Sequence, residues 1–231
     1  MEHIGNLENP LKLVYFSCRN SVTDIINSTS CENNDLKYFR GTCDVIRLVL
    51  VDQEIPYEEH NVSGKDYLQP EFQSVLLESG NFPMLPFLSD PNNQVEITGS
   101  FTILRYIGEK CNLMGRSGED RIKIENWIEF LQSLLHSIWD FDNSTENFSY
   151  NNNKRCDKLG YGLIGTNQQN KRKSQFILET LHPMLKNLDD KIETDLWVLS
   201  CGYTIIDILL YSTISVIIKS LGLEILGLYK K

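Results

Sequence analysis

The stretch "NFPMLPFLSDPNNQVEITGSFTILRYIGEK", Asn81 to Lys110, decides the fold. It holds Pro83 and Pro86, a short apolar run, a polar turn, a second short run, a Gly99–Ser100 pair and an amphipathic segment. Asp-Pro-Asn-Asn between two short apolar runs is a turn signal, so "MLPFLS" and "QVEIT" are expected to form an antiparallel hairpin. "SFTILRYIGEKC" then places Ile103, Leu104, Ile107 and Cys111 on one side of a helix.

Upstream, "LKLVYF" reads as a strand. "SCRNSVTDIINSTSCENNDLKYFR" is polar and rich in Asn and Ser, and reads as a long loop. "GTCDVIRLVLVDQ" is a helix with one buried face, "IPYEEHNV" a strand, and "YLQPEFQSVLL" a short, irregular helix. The order is β-α-β-α-β-β-α. Helices between single strands imply crossovers and a parallel pair, and the final hairpin adds antiparallel strands. A mixed four-stranded sheet flanked by helices follows.

Downstream the strand signals stop. "EDRIKIENWIEFLQSLLHSIWDF" is a long amphipathic helix and "DNSTENFSYNNNKRCDKLGYG" a low-complexity loop. "NQQNKRKSQFILETLHPMLKNLDDKI" is a second helix, disturbed at Pro183. "TIIDILLYSTISVIIKSL" is a third, opened by a capping box from Thr204 to Asp207. The domain boundary is expected near residues 112–118.

The chain has 231 residues, enough for one large or two small domains. Its net charge of −9 argues against a broad nucleic-acid footprint. The apolar "TIIDILLYSTISVIIKSLG" carries Asp207 and Lys219, so a buried core helix is the better reading than a membrane span. No signal peptide is read at the N-terminus. Six scattered cysteines (18, 31, 43, 111, 156 and 201) make no C-x-x-C pair and, with four dispersed histidines, no metal constellation. Reduced thiols in the cytoplasm fit best. The Asn-X-Ser/Thr triplets at Asn27, Asn61, Asn143 and Asn147 are read as by-products of Asn-rich composition.

Three positions could carry chemistry. A cis bond before Pro86 would turn Leu85 outward, free to pair with an extended peptide-like ligand. Gly99 and Ser100 open a helix, where unpaired N–H groups, the dipole and a serine N-cap suit a carboxylate. Tyr15 ends the first strand, where its hydroxyl could donate to a thiolate and lower a thiol pKa from about 8.5. Each also has a plainer reading: a trans proline in a turn, a serine cap on a core helix, a tyrosine at the edge of the core. Phe82 is either a plug for a partner's pocket or core filling.

The order of these signals is more specific than any one. It resembles a cytosolic glutathione transferase, most closely the mu, pi and sigma classes, through "RGTCDVIRLVL", "YEEH", "FPMLPFL" and "ITGSFTILRYIGEK…LMG". The resemblance is dense over residues 40–115, extends to 11–16, and is thin over the helical half. It implies a thioredoxin-like N-terminal domain (9–113, with an insertion at about 20–39) and an all-helical C-terminal domain (114–231, with an Asn-rich insertion at about 141–162). It implies glutathione as co-substrate, with no other cofactor and no metal. Tyr15 is the implied catalytic residue, stabilising the thiolate. Phe16, Tyr67, Gln73, Met84, Leu85, Pro86, Gly99 and Ser100 are the implied glutathione-binding residues. Leu85 would pair with the cysteinyl backbone, and Ser100 would hold the γ-glutamyl carboxylate. Phe82 is the implied interface aromatic of a homodimer.

There are departures. Gly99 stands where the family usually has Gln, and Tyr67 and Gln73 where it usually has Trp and Lys. A charge on the glycyl carboxylate is lost, for which Lys65 could compensate. Ser133 stands where the partner subunit often donates an acid. About twenty extra residues separate Arg19 from Arg40, making Tyr38 a rival to Tyr15, although only Tyr15 has the usual Tyr-x-x-x-Arg spacing. Two readings follow. One is a detoxifying transferase joining the glutathione thiol to hydrophobic electrophiles. The other is a weak or inactive relative serving as a binding module.

Overall fold

The computed structural model describes residues 4–16, 43–78, 80–150, 167–222 and 225. Tyr38, Arg19, Arg40, the insertion at 20–39 and most of the Asn-rich segment lie outside them. The chain divides into two compact units, Met1–Arg121 and Ile122–Lys231.

The first unit runs β1 (Leu11–Phe16), α1 (Cys43–Asp52), β2 (Tyr57–Val62), α2 (Gly64–Tyr67), α3 (Pro70–Glu78), β3 (Phe87–Asp90), β4 (Val95–Thr98) and α4 (Ser100–Lys110). The sheet order is β2-β1-β3-β4, with β1 parallel to β2 and antiparallel to β3, and β3 antiparallel to β4. The mixed four-stranded sheet expected from the element order is present. Leu11 and Leu13, two apart on central β1, are fully buried with Leu88 of β3. Above them α1 buries Val45, Ile46, Val49 and Leu50, and α4 buries Ile103, Leu104 and Ile107. These are the helical-period positions, and the two helices pack against each other.

Local chemistry sets the boundaries. Asp90 opens the hairpin turn, accepting the N–H of Asn92 at 3.1 Å and the Tyr106 hydroxyl at 2.7 Å. This buried carboxylate pins the turn to α4. Ser63 caps α2 by accepting the Asp66 N–H at 3.1 Å, and Pro70 opens α3 where its missing N–H costs nothing. Two expectations are corrected here. Strand β3 begins at Phe87, so Met84 and Leu85 precede the ladder. The N-cap of α4 is Gly99, and Ser100 is the first helical residue.

Helix α5 (Gly118–Tyr150) starts in the first unit and continues into the second. Ile124, Ile128, Leu131, Leu135 and Ile138 form its buried stripe. It continues past Phe141, where the composition predicted a loop. No Gly or Pro interrupts residues 119–159, and extending an existing helix is far easier than nucleating one. Then come α6 (Asn167–Phe176), a π-helical turn (Ile177–Leu181) and α7 (His182–Lys191). Pro183 cannot donate to Glu179 four residues back, and the π turn contains that residue. The expected disturbance at Pro183 therefore takes the form of a widened turn.

Helix α8 (Ile205–Leu221) begins at the capping box. The Thr204 hydroxyl accepts the Ile206 N–H at 3.3 Å, and Asp207 accepts the Thr204 N–H at 2.8 Å. The second Asp207 oxygen accepts the Val198 N–H at 2.9 Å, tying the incoming loop to the helix. Among the described residues, no helix is long and apolar enough to cross a membrane.

Candidate functional site

The register of the sheet gathers the candidates. Val14 of β1 opposes Phe87 of β3. The pairing ends there, and Tyr15 and Phe16 follow Val14 in β1 while Leu85 and Pro86 lead into Phe87, so all four lie toward this end of the sheet. Phe87 in turn opposes Thr98, so the mouth of α4 lies at the same end of the sheet. The Gly99 N–H closes the arrangement by donating to the Pro86 carbonyl at 2.9 Å.

The Leu85–Pro86 bond is cis. Pro86 is buried and Leu85 is half-buried. Among the described residues, the N–H and C=O of Leu85 take part in no turn or loop hydrogen bond, so both can pair with an extended ligand. Gly99 has φ +91°, a conformation that L side chains rarely adopt. A Cβ there would meet the Met84 sulfur at 3.5 Å, ordinary contact, so the dihedral and not crowding explains glycine. Ser100 is 7% exposed at the first position of α4, where N–H groups lack helical acceptors. Met84, 44% exposed, flanks this mouth.

Tyr15 shares the face of Leu11 and Leu13 but is only half-buried, as expected where a strand leaves the core. Its ring lies 5.7 Å from that of Phe16. The Arg47 guanidinium carbon sits 5.8 Å from the Tyr15 ring centroid. Sequence reasoning did not single out Arg47. It donates from Nε to Glu59 at 2.9 Å, from Nη2 to the other Glu59 oxygen, and from Nη1 to Asp44 at 2.8 Å. Burial alone would pull the Arg47 pKa down. The hydrogen bond to Glu59 and the charges of Cys43, Glu59 and Asp44 outweigh it, and the pKa rises above the ordinary arginine value. The three-residue spacing of Asp44 and Arg47 was a visible signal, but Glu59 is brought in by strand register alone.

At the other end, Phe16 packs edge-on against Tyr67 at 5.1 Å, and Tyr67 against Phe72 at 6.1 Å. The Tyr67 hydroxyl donates to the Pro83 carbonyl at 2.6 Å, and Gln73 donates its amide to the Tyr67 carbonyl at 2.6 Å. Lys65 is exposed on α2. Phe82 is 76% exposed on the loop before Pro86. Burial pushes the Cys111 thiol up, with help from Asp52, which keeps it a poor nucleophile. Among the described residues no three His, Cys, Asp or Glu are grouped to hold a metal.

The chain is similar to known proteins in sequence and in structure. Glutathione S-transferase Mu 2 of Rattus norvegicus is 38% identical over 90 residues, 37% of this chain and 40% of its own length. Glutathione S-transferase Mu 3 of Homo sapiens is 35% identical over 124 residues, 49% of this chain and 54% of its own. In three dimensions, a Fasciola hepatica sigma class GST superposes with a TM-score of 0.61 at 16% identity, covering 93% of this chain and 82% of that one. The chain has the glutathione transferase fold. No family model matches it. This transferase-like chain spans about half the length of the curated relatives it matches. The fold similarity extends across most of the chain, while the sequence similarity covers about half or less.

Proposed function

We propose that the chain is a glutathione transferase, joining the thiol of reduced glutathione to hydrophobic electrophiles in a cytoplasmic, detoxifying role. The observation that carries this reading is the convergence of Tyr15, Leu85–Pro86 and Gly99–Ser100 at one end of the sheet. Glutathione would lie extended beside Leu85. The cysteinyl N–H and C=O would take the Leu85 backbone groups, and the γ-glutamyl carboxylate would sit at Ser100 and the start of α4. The Tyr15 hydroxyl would donate to the sulfur, favouring the thiolate over the thiol. The thiolate then attacks the electrophile. A carbon–sulfur bond forms as the leaving group departs with its electron pair, or as a conjugated π bond takes up the pair and a proton. The rate gain comes from thiol ionisation and from proximity. Glutathione is a co-substrate here, no further cofactor is required, and Phe82 is offered as the contact of a homodimer.

The test is calorimetric titration with reduced glutathione at two pH values about one unit apart around neutrality. Saturable binding with proton release is expected. No heat at millimolar ligand would overturn the reading. Tyr15→Phe should bind glutathione with little loss yet turn over an activated aryl halide about a hundredfold more slowly. Unchanged turnover would eliminate Tyr15 as the thiolate donor.

A further inference from the structure

We propose that Ser174 is a phosphorylation site, the substrate of a protein kinase that recognises basic residues ahead of its serine. The proposal is independent of the glutathione site, because Ser174 lies in the second unit and the residues of that site in the first. The segment reads Lys171-Arg172-Lys173-Ser174-Gln175-Phe176. Three consecutive cations thus precede the serine, on a chain of net charge −9. Among the serines and threonines of the sequence, Ser174 alone has a basic residue both two and three positions ahead of it. Ser21 and Thr42 have a cation two positions ahead only, and Thr194 three positions ahead only. Kinases that act on basic substrates choose by this charge pattern, through acidic groups beside their active sites.

The structure makes the hydroxyl reachable. Ser174 is exposed on α6, as are Lys171 and Arg172, and Lys173 is half-buried. A kinase takes its substrate as an extended chain, so the helix must open locally. None of residues 171–175 is buried. The nearest fixed points are Phe176, stacked on Phe141 at 4.5 Å, and Leu181, 1% exposed. Opening this stretch breaks helical hydrogen bonds but uncovers no core, which puts it at the low-stability end of the molecule. The regular helix also stops at Phe176, where the π-helical turn Ile177–Leu181 takes over. The Ser174 oxygen attacks the γ-phosphorus of ATP. A phosphorus–oxygen bond forms as the bond to the bridging oxygen breaks, ADP departs with that electron pair, and the hydroxyl proton passes to the base of the kinase. The new phosphate lies one helical turn from Lys171, and pairing there lets the modified helix close again.

The experiment incubates the full chain with ATP and the catalytic subunit of cyclic-AMP-dependent protein kinase, and locates the phosphate by mass spectrometry of its peptides. Incorporation at Ser174 approaching about one phosphate per chain is expected. Ser174→Ala should lose that incorporation and keep its melting temperature, because the position is exposed. Lys171→Gln together with Arg172→Gln keeps good helix formers in place, so the fold is retained. That double variant should be modified about tenfold more slowly, the worth of lost contacts to charged groups. An unmodified Ser174 after exhaustive incubation would overturn the proposal. Undiminished incorporation into Ser174→Ala, or an unchanged rate in the double variant, would overturn it equally.

Discussion

The two ends of the proposed groove are built from different materials. At the α4 end the groups proposed to meet the ligand are mostly main chain: the Leu85 peptide groups and the first N–H groups of α4. At the α2–α3 end they are side chains: Phe16, Tyr67 and Gln73. Main-chain recognition depends on fold and tolerates substitution, because every residue has the same backbone. Side-chain recognition changes with each substitution. On the proposed reading, Gly99 and Ser100 would serve a carboxylate through the backbone, while Tyr67 and Gln73 carry neutral side chains.

Removing Arg47, which lies against the Tyr15 ring, is the most severe test of the structure beside that tyrosine. Arg47→Met would leave Asp44 and Glu59 facing each other without their cation, and should cost about 3 kcal/mol of stability by denaturant unfolding. Arg47→Lys should recover only part of it, since an ammonium cannot make the paired bonds to Glu59. At the α4 end, Ser100→Ala should weaken glutathione about tenfold, the worth of one hydrogen bond to a charged group. An unchanged dissociation constant would show that the N–H groups suffice alone. Gly99→Ala tests backbone against side chain at the same spot. The positive φ should lower stability by about 1 kcal/mol, read as a lower melting temperature.

The opposite end should respond the other way round. Tyr67→Phe removes the bond to Pro83 and should cost about 1 kcal/mol of stability, while glutathione affinity changes less than twofold. A large loss of affinity with no loss of stability would break the comparison. The smallest effect lies outside the groove. Glu193 accepts from Ser200 through side chain and backbone, and from Lys123, which lowers its pKa from 4.5 to about 2. A lowered pKa stabilises the fold above the unfolded value, and that stability is lost as pH falls from about 4.5 towards 2. Glu193 is partly exposed, so Glu193→Gln should remove under about 1 kcal/mol at neutral pH and flatten the acid limb of the stability curve.

Local signals were readable where the physics is local. Asp90-Pro-Asn-Asn makes its turn from its own side chains, and Thr204–Asp207 makes a capping box within one helical turn. Pro183 disturbs the helix it interrupts because the missing donor belongs to that same helix. The continuation of α5 to Tyr150 escaped, because polar composition argues for loop while the absence of Gly and Pro lets a long helix propagate. Gly99 as the cap escaped as well, since a serine beside it is the better capper by composition and only the backbone dihedral decides.

The sequence by itself determined the element order, the sheet it implies and the helical stripes that cover it, because periodicity and turn chemistry act over a few residues. It also carried the resemblance that named Tyr15, Leu85, Pro86 and Ser100. Only the tertiary structure decided that Arg47 is clamped between Asp44 and Glu59 beneath Tyr15, that Tyr67 is engaged by Pro83, and that Gly99 sits at φ +91°. The physical reason is range. These arrangements depend on strand register and chain crossings that bring together residues far apart in sequence, or on a backbone angle imposed by the turn into α4.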